Sequence, residues 1–251
     1  MTDAPKKKNA AKKSPAKKSS TKKPEPSRAR KTVADPEALR AKLIAASLAH
    51  IGFDGWSIAA LNQGAKDAGL AATDVMRAFP RGPRQAFEWF NADCDAKMAA
   101  ELITMDLDNM RVRDRIATAV RARLTLVDGH RDAVRRGATF LAQPQNAGLG
   151  LTCLYRTVDE IWRAIGDTST DYNFYTKRAL LAGVIASTTL YWLDDTSADN
   201  AASWAFLDRR IADVMQVQVS IGRLKTAAQR LIEATHAAST KVRLRSWGAN
   251  R

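Results

Sequence analysis

The chain has 251 residues with 40 Lys/Arg against 26 Asp/Glu, a formal net charge of +14, and enough length for one large domain or two small ones. The charge is unevenly placed: residues 1–31 hold twelve basic side chains against Asp3 and Glu25, residues 222–251 hold seven against Glu233, and the stretch between them holds 21 basic and 23 acidic residues. This excludes a uniformly basic nucleic-acid-binding domain and leaves two basic appendages on a near-neutral body.

Two cysteines, Cys94 and Cys153, are too few for a disulfide framework, and no apolar run of the signal-peptide kind stands near Met1. A reducing, cytoplasmic setting is the expectation. The most apolar run, residues 179–193, is 15 residues long and contains Ser187, Thr188 and Thr189. A membrane-spanning helix needs about 20 residues, so this run reads as a buried helix.

Residues 1–33 are a Lys, Ala, Pro and Ser mixture (KKKNAAKKSPAKKSSTKKPEP) with almost nothing to bury, which predicts a disordered tail. It is either a solvated tail or a nonspecific anchor to nucleic acid or anionic lipid. Being Lys-rich and Pro-interrupted, it lacks the Arg-rich amphipathic pattern of a mitochondrial transit peptide.

From Asp35 the pattern is helical and stays so. Asp35 caps a helix with Pro36 at its first position, followed by Leu39, Leu43, Ala46 and Ile51 at spacings near 3.6. Ser57 caps the next helix, which carries Ile58, Leu61 and Ala65 and stops at Gly69. A short third helix covers 72–79 and ends at Pro80; Pro83 opens a fourth through Phe87, Phe90, Cys94 and Met98. Further helices are predicted at 111–126, 131–142, 147–165, 171–193 and 199–217, separated by Asp128-Gly129, Gln143-Pro144, Gly166-Asp167 and Asp194-Asp195. No segment alternates with period two, so residues 34–220 form an all-α domain of about nine helices.

Residues 221–251 differ in kind. Leu224, Ala228, Leu231, Ile232, Ala238 and Val242 fall on one side of a helical wheel, with Arg223, Lys225, Arg230 and Lys241 supplying positive charge. That is the pattern of an amphipathic helix lying on an anionic membrane, with Leu224, Lys225, Ala228, Arg230, Leu231 and Ile232 as its contacts. The alternative is a last helix packed on the body.

Catalytic and metal signatures are scarce. His50, His130 and His236 are far apart, and Glu233 with His236 makes a single Glu-x-x-His pair where a di-iron bundle needs two plus further glutamates. Gly-rich phosphate loops, Gly-x-Ser-x-Gly elbows and Cys-x-x-Cys pairs do not occur in the sequence. The reading is a non-enzyme with no cofactor and no metal.

Residues 52–79, GFDGWSIAALNQGAKDAGLAATDVMRAF, resemble the helix-turn-helix module of TetR-type regulators, here with a longer second helix. The module spans 34–80. Its third helix offers only Thr73, Asp74 and Arg77 as polar side chains, and residues 52–79 hold two basic and three acidic residues. A DNA reader draws most of its affinity from phosphate neutralisation and should be basic. A ligand-responsive transcriptional regulator is therefore the alternative rather than the leading reading.

Residues 166–215 carry a more specific pattern: Ser169-Thr170-Asp171, Asn173, Tyr175-Thr176, Arg178, Leu181-Ala182, Asp195, Ser197, Asp199, Trp204, Phe206-Leu207, Arg210, Asp213 and Met215. With Asp159 and Trp162 upstream, this resembles the lipid-binding accessory protein family of ubiquinone (coenzyme Q) biosynthesis, whose fold is TetR-like. The resemblance implies an isoprenoid or quinone lipid held among the C-terminal helices, and the residues offered for it are Val158, Trp162, Leu180, Leu181, Val184, Ile185, Thr188, Trp204 and Ile211. Helix 171–193 is apolar nearly all round, which predicts enclosure on every side. The resemblance also implies docking to the di-iron hydroxylase of a quinone intermediate, through Ile161, Asp171, Phe174, Tyr175 and Arg178. It further implies peripheral membrane association and a homodimer paired through the last domain helices, with no specific nucleic-acid partner.

Overall fold

The computed structural model describes residues 35–166 and 173–216. Local chemistry sets the helix ends. Asp35 accepts a hydrogen bond from the Glu37 N–H at 3.1 Å and Pro36 takes the first position of α1 (Pro36–Asp54). Ser57 Oγ accepts from the Ala60 N–H at 3.1 Å and starts α2 (Ile58–Asp67). Gly69 follows in the left-handed region (φ +67°), where the Leu70 N–H can reach the Ala65 carbonyl at 2.8 Å and close the helix end. The short α3 (Ala72–Ala78) stops before Pro80, and Pro83 opens α4 (Pro83–Ile103).

The remaining helices fall where the breakers predict. They are α5 (Val112–Thr125), α6 (Arg131–Leu141), α7 (Ala147–Ala164), α8 (Asn173–Leu193) and α9 over residues 201–216. Three single 3₁₀ turns accompany them, at Asp128–His130, Pro144–Asn146 and Ala198–Asn200. The architecture is all-α, nine helices with no strand among the described residues. The N-terminal tail and the amphipathic segment from residue 221 lie outside the described residues, as do Asp171 and the Glu233/His236 pair.

Packing ties the N-terminal helices to the rest. α1 packs on α2, α3 and α6; α4 packs on α5 and α7; α7 packs on α8. The α1–α2 crossing is close because Gly64 faces Ser47, and a Cβ at Gly64 would lie 2.6 Å from the Ser47 Cα. Trp56, between α1 and α2, donates its indole N–H to the Ala133 carbonyl at 3.2 Å and sets its ring against Phe87 (4.9 Å) and Phe90 (5.3 Å). One buried aromatic therefore fixes the helix-turn-helix unit to both α4 and α6.

The α8–α9 connection is held with equal care. Asp195 accepts from the Ser197 N–H at 2.8 Å, the Ser203 N–H at 2.8 Å and the Ser203 hydroxyl at 2.5 Å, so one carboxylate caps the start of α9. Those bonds from Ser203 and Ser197 hold its pKa far below the ordinary carboxylate range. Arg131 at the head of α6 binds Asp128, Asn200 and the Trp192 and Asp195 carbonyls, and lies over the Trp192 ring.

The apolar helix α8 is not enclosed on every side. Leu181, Val184, Ile185, Thr188 and Trp192 are buried, whereas Leu190 is 61% exposed and Tyr175 72%. The physical reason is that α8 serves the core, an apolar cavity and the Phe206 ring of α9 at once.

Candidate functional site

A cavity of about 330 Å³ lies among α4, α5, α6, α7 and α8. Its walls are almost wholly apolar. Phe87 and Phe90 come from α4, Val120 and Leu124 from α5, with Val127 following; Val134 and Leu141 come from α6, Cys153, Leu154 and Ile161 from α7, Ile185 and Leu190 from α8. The lining residues exposed to solvent, Ala138, Ala186 and Leu190, all belong to α6 and α8, so the cavity opens between those two helices. Leu190 is exposed because it forms part of that mouth.

One wall is polar. Asn91, Arg123 and Thr157, from α4, α5 and α7, line the cavity and converge on Asp95. The Arg123 Nε donates to Asp95 Oδ1 at 2.8 Å, and its Nη2 donates to Asn91 Oδ1 at 3.0 Å. Thr157 Oγ1 stands 3.0 Å from both Asp95 oxygens and accepts from Asn91 Nδ2 at 3.2 Å. The Arg123 and Asp95 side chains are only 12% and 7% exposed. Burial pushes the Asp95 carboxyl above its ordinary pKa, with Arg123 pulling the other way. Burial also pushes the Cys153 thiol up to about 11, so it is no nucleophile at neutral pH.

Of the nine residues expected at a lipid site, Ile185 lines this cavity. Val158, Trp162, Leu181, Val184, Thr188 and Ile211 are buried elsewhere in the core, and Leu180 is half-buried. Trp204 is half-buried, its indole donating to the Asp199 carbonyl at 2.8 Å. The residues sequence reasoning missed come mainly from α4, α5, α6 and α7. A signal existed there: Asn91 and Asp95 interrupt the stripe of Phe87, Phe90, Cys94 and Met98, and Arg123 sits between Val120 and Val127 on the buried side of α5.

The residues expected at a docking face separate in a similar way. Ile161 is fully buried and belongs to the cavity wall. Arg178 is buried, bound to Asp159 Oδ1 through Nη2 (2.7 Å) and Nε (3.0 Å), with its guanidinium 3.3 Å over the Phe174 ring. Phe174 meets Tyr175 edge-on at 5.1 Å, and Tyr175 projects into solvent. Arg178 thus braces this turn from within, and Tyr175 is its exposed tip. All six residues expected to touch a membrane, Leu224, Lys225, Ala228, Arg230, Leu231 and Ile232, lie outside the described residues.

In the helix-turn-helix unit, α3 has seven residues, and its Arg77 is paired with Asp74 at 2.6 Å. Asp74 also accepts from the Ala71 N–H. The basic group of that helix is therefore already engaged within the helix. No described helix is long and apolar enough to cross a membrane.

Comparison with known proteins agrees with this architecture. Residues 147–218 match the family model described as COQ9. The chain is 33% identical over 194 residues to the mitochondrial ubiquinone biosynthesis protein COQ9 of Drosophila melanogaster, covering 76% of this chain and 59% of that protein. It is 28% identical over 214 residues to the Rattus norvegicus protein of the same name, covering 82% of this chain and 68% of that one. Thus the chain spans 59% of the length of the fly relative. A TetR transcriptional regulator from Nitrosomonas europaea shares the fold with a TM-score of 0.59 at 14% identity, covering 71% of this chain and 99% of that one. Such low identity speaks for the fold alone. Family model, relatives and fold coincide: the chain is similar to the COQ9 proteins of ubiquinone biosynthesis and has a TetR-like architecture.

Proposed function

We propose that the protein is a non-catalytic lipid carrier of ubiquinone biosynthesis, which holds an isoprenoid quinone intermediate and presents it to a membrane-associated di-iron hydroxylase. The observation that carries this reading is the apolar cavity opening between α6 and α8 in a chain whose relatives are named for ubiquinone biosynthesis. A cavity of about 330 Å³ sits at the small end of the roughly 300–1,000 Å³ that ligand sites span. It suits a ring and the first part of a tail, and the rest of a long tail would leave through the mouth. Each methylene withdrawn from water gains about 0.8 kcal/mol, so even a partly enclosed tail binds firmly.

Two further elements complete the reading. The basic amphipathic segment 221–242 would hold the protein on an anionic membrane surface, where each positive side chain contributes about 1 kcal/mol. The face around Phe174 and Tyr175, with Asp171, would meet the hydroxylase, and pairing through the last domain helices would give a homodimer.

Mass spectrometry of lipid co-purifying with the full chain tests the proposal. An isoprenoid quinone or its precursor is expected, and its amount should fall at least tenfold in Ala186→Trp. Ala186 is an exposed residue at the mouth, so the larger ring obstructs entry without disturbing the core. Protein purified free of any isoprenoid, or lipid retained at full occupancy in Ala186→Trp, overturns it.

A further inference from the structure

We propose that the Asn91–Arg123–Thr157 wall is the head-group subsite of the cavity, and that it selects a neutral ring bearing carbonyl or alkoxy oxygens over an anionic head. This deepens the reading above and rests on it. The argument begins with polarity. Everything else around the cavity is hydrocarbon or sulfur, apart from the Thr189 hydroxyl, so a ligand with one polar end and one apolar end has a single orientation that leaves no polar group unpaired. The ring oxygens go to the Arg123 side, and the tail goes toward Leu190 at the mouth.

Charge decides the class of head. The Arg123 guanidinium already has its counterion in Asp95 at 2.8 Å, and both are nearly excluded from water. A carboxylate or phosphate entering beside them would face Asp95 without an unmatched cation, which a buried site tolerates poorly. A neutral acceptor needs only a donor. Arg123 supplies one, because its Nη1 takes no part in the bonds to Asp95 and Asn91. Asn91 and Thr157, cross-linked to each other and to Asp95, hold that guanidinium in place. Three helices thus fix one donor group at the wall of an oil-lined space, an arrangement that recognises position as well as polarity.

The test is displacement of the neutral fluorophore N-phenyl-1-naphthylamine from the full-length protein by three ligands with alkyl tails of about nine or ten carbons. These are a decyl-substituted dimethoxybenzoquinone, decylbenzene and decanoate. The quinone is expected to bind about tenfold or more tighter than decylbenzene, the size of one hydrogen bond to a charged donor, and decanoate is expected to bind weakest. The double variant Asp95→Leu/Arg123→Met removes the charged donor of that wall together with its counterion, leaving no buried charge unpaired. In it the quinone's advantage over decylbenzene should vanish, with decylbenzene binding as tightly as before. Equal affinity for quinone and decylbenzene in the native protein, a quinone preference that survives the double variant, or decanoate as the tightest ligand each overturns the proposal. The native-protein comparison stands even if the variant fails to fold. Failure of the fluorophore and all three ligands to bind the native protein overturns the lipid-carrier reading itself.

Discussion

Arg123→Met should be far more damaging than the double replacement of Arg123 and its partner. The Arg123 Nε and Asp95 Oδ1 lie 2.8 Å apart with side chains 12% and 7% exposed. At an effective dielectric near 20 their attraction is about 6 kcal/mol before desolvation is subtracted. Burial nonetheless raises the Asp95 pKa despite Arg123, so for this carboxylate desolvation outweighs the pair attraction. Cutting one partner of such a pair costs about 3–5 kcal/mol, because a charge is left buried and alone, whereas replacing both with apolar groups is near neutral or stabilising. At about 2–4 °C per kcal/mol for a domain of this size, Arg123→Met should lower Tm by roughly 6–20 °C. Asp95→Leu/Arg123→Met should return close to the native value. The single variant should also show a pH signature. Asp95 already has a folded pKa above the unfolded one, and loss of its counterion raises it further, so the stability present at low pH is lost more steeply as pH rises through the folded value. Calorimetry or thermal circular dichroism at pH 5 and pH 8 measures both effects. A double variant as unstable as the single one would refute the electrostatic argument, since the loss would then come from packing. A single variant as stable as the native protein would show that the pair is not buried in solution.

Two further outcomes follow from the same geometry. Asp195, held by Ser203 and Ser197 with its pKa lowered, contributes stability that is present above the unfolded value near 4 and lost on acidification. Asp195→Asn should therefore flatten the acid limb of a urea-midpoint profile and cost about 1 kcal/mol at pH 7; an unchanged acid limb would contradict the capping role. Cys153 lines the cavity with a pKa pushed up to about 11, so at pH 8 only ~0.1% is thiolate and alkylation is slow. In a Cys94→Ser background, iodoacetamide should label Cys153 more slowly still when an isoprenoid quinone is bound, and equal rates with and without ligand would place the lipid elsewhere.

Helix boundaries were legible in the sequence because they are set locally. Asp35 before Pro36, Ser57 before Ile58, and Gly69 closing α2 each bond within a few residues, so neighbouring letters contain the whole cause. The cavity was less legible because it is assembled by tertiary contacts. Asn91, Arg123 and Thr157 are separated by more than 30 residues at each step, and none is unusual in isolation. Resemblance directed attention to the C-terminal helices, where Ile185 lies, but could not say that α4 and α5 supply much of the wall. Ile161 shows the complementary difficulty. It follows the charged Asp159 and Glu160 in sequence, yet on the wheel of α7 it falls with the buried Thr157 and Val158 and turns inward.

Helix α8 shows why an all-round apolar composition does not dictate all-round burial. Its apolar side chains are divided among separate tasks. Leu181, Val184, Thr188 and Trp192 pack in the core, while Ile185, Ala186, Thr189 and Leu190 face the cavity and its mouth. Tyr191 stacks on Phe206 of α9, with ring centroids 4.5 Å apart and planes 10° from parallel. Each task needs apolar atoms, and together they occupy nearly every side of the helix, which is why no single polar face survives in the sequence. A helix enclosed by protein would satisfy all of them by burial; α8 instead leaves Leu190 in solvent at the opening. A hydrophobic residue kept wet at the mouth of an apolar cavity costs stability in the empty protein and is covered when a hydrocarbon tail passes over it. Leu190→Ser should accordingly leave the unfolding free energy within about 0.5 kcal/mol of native, as exposed sites do, while weakening retention of long-tailed ligands more than short-tailed ones.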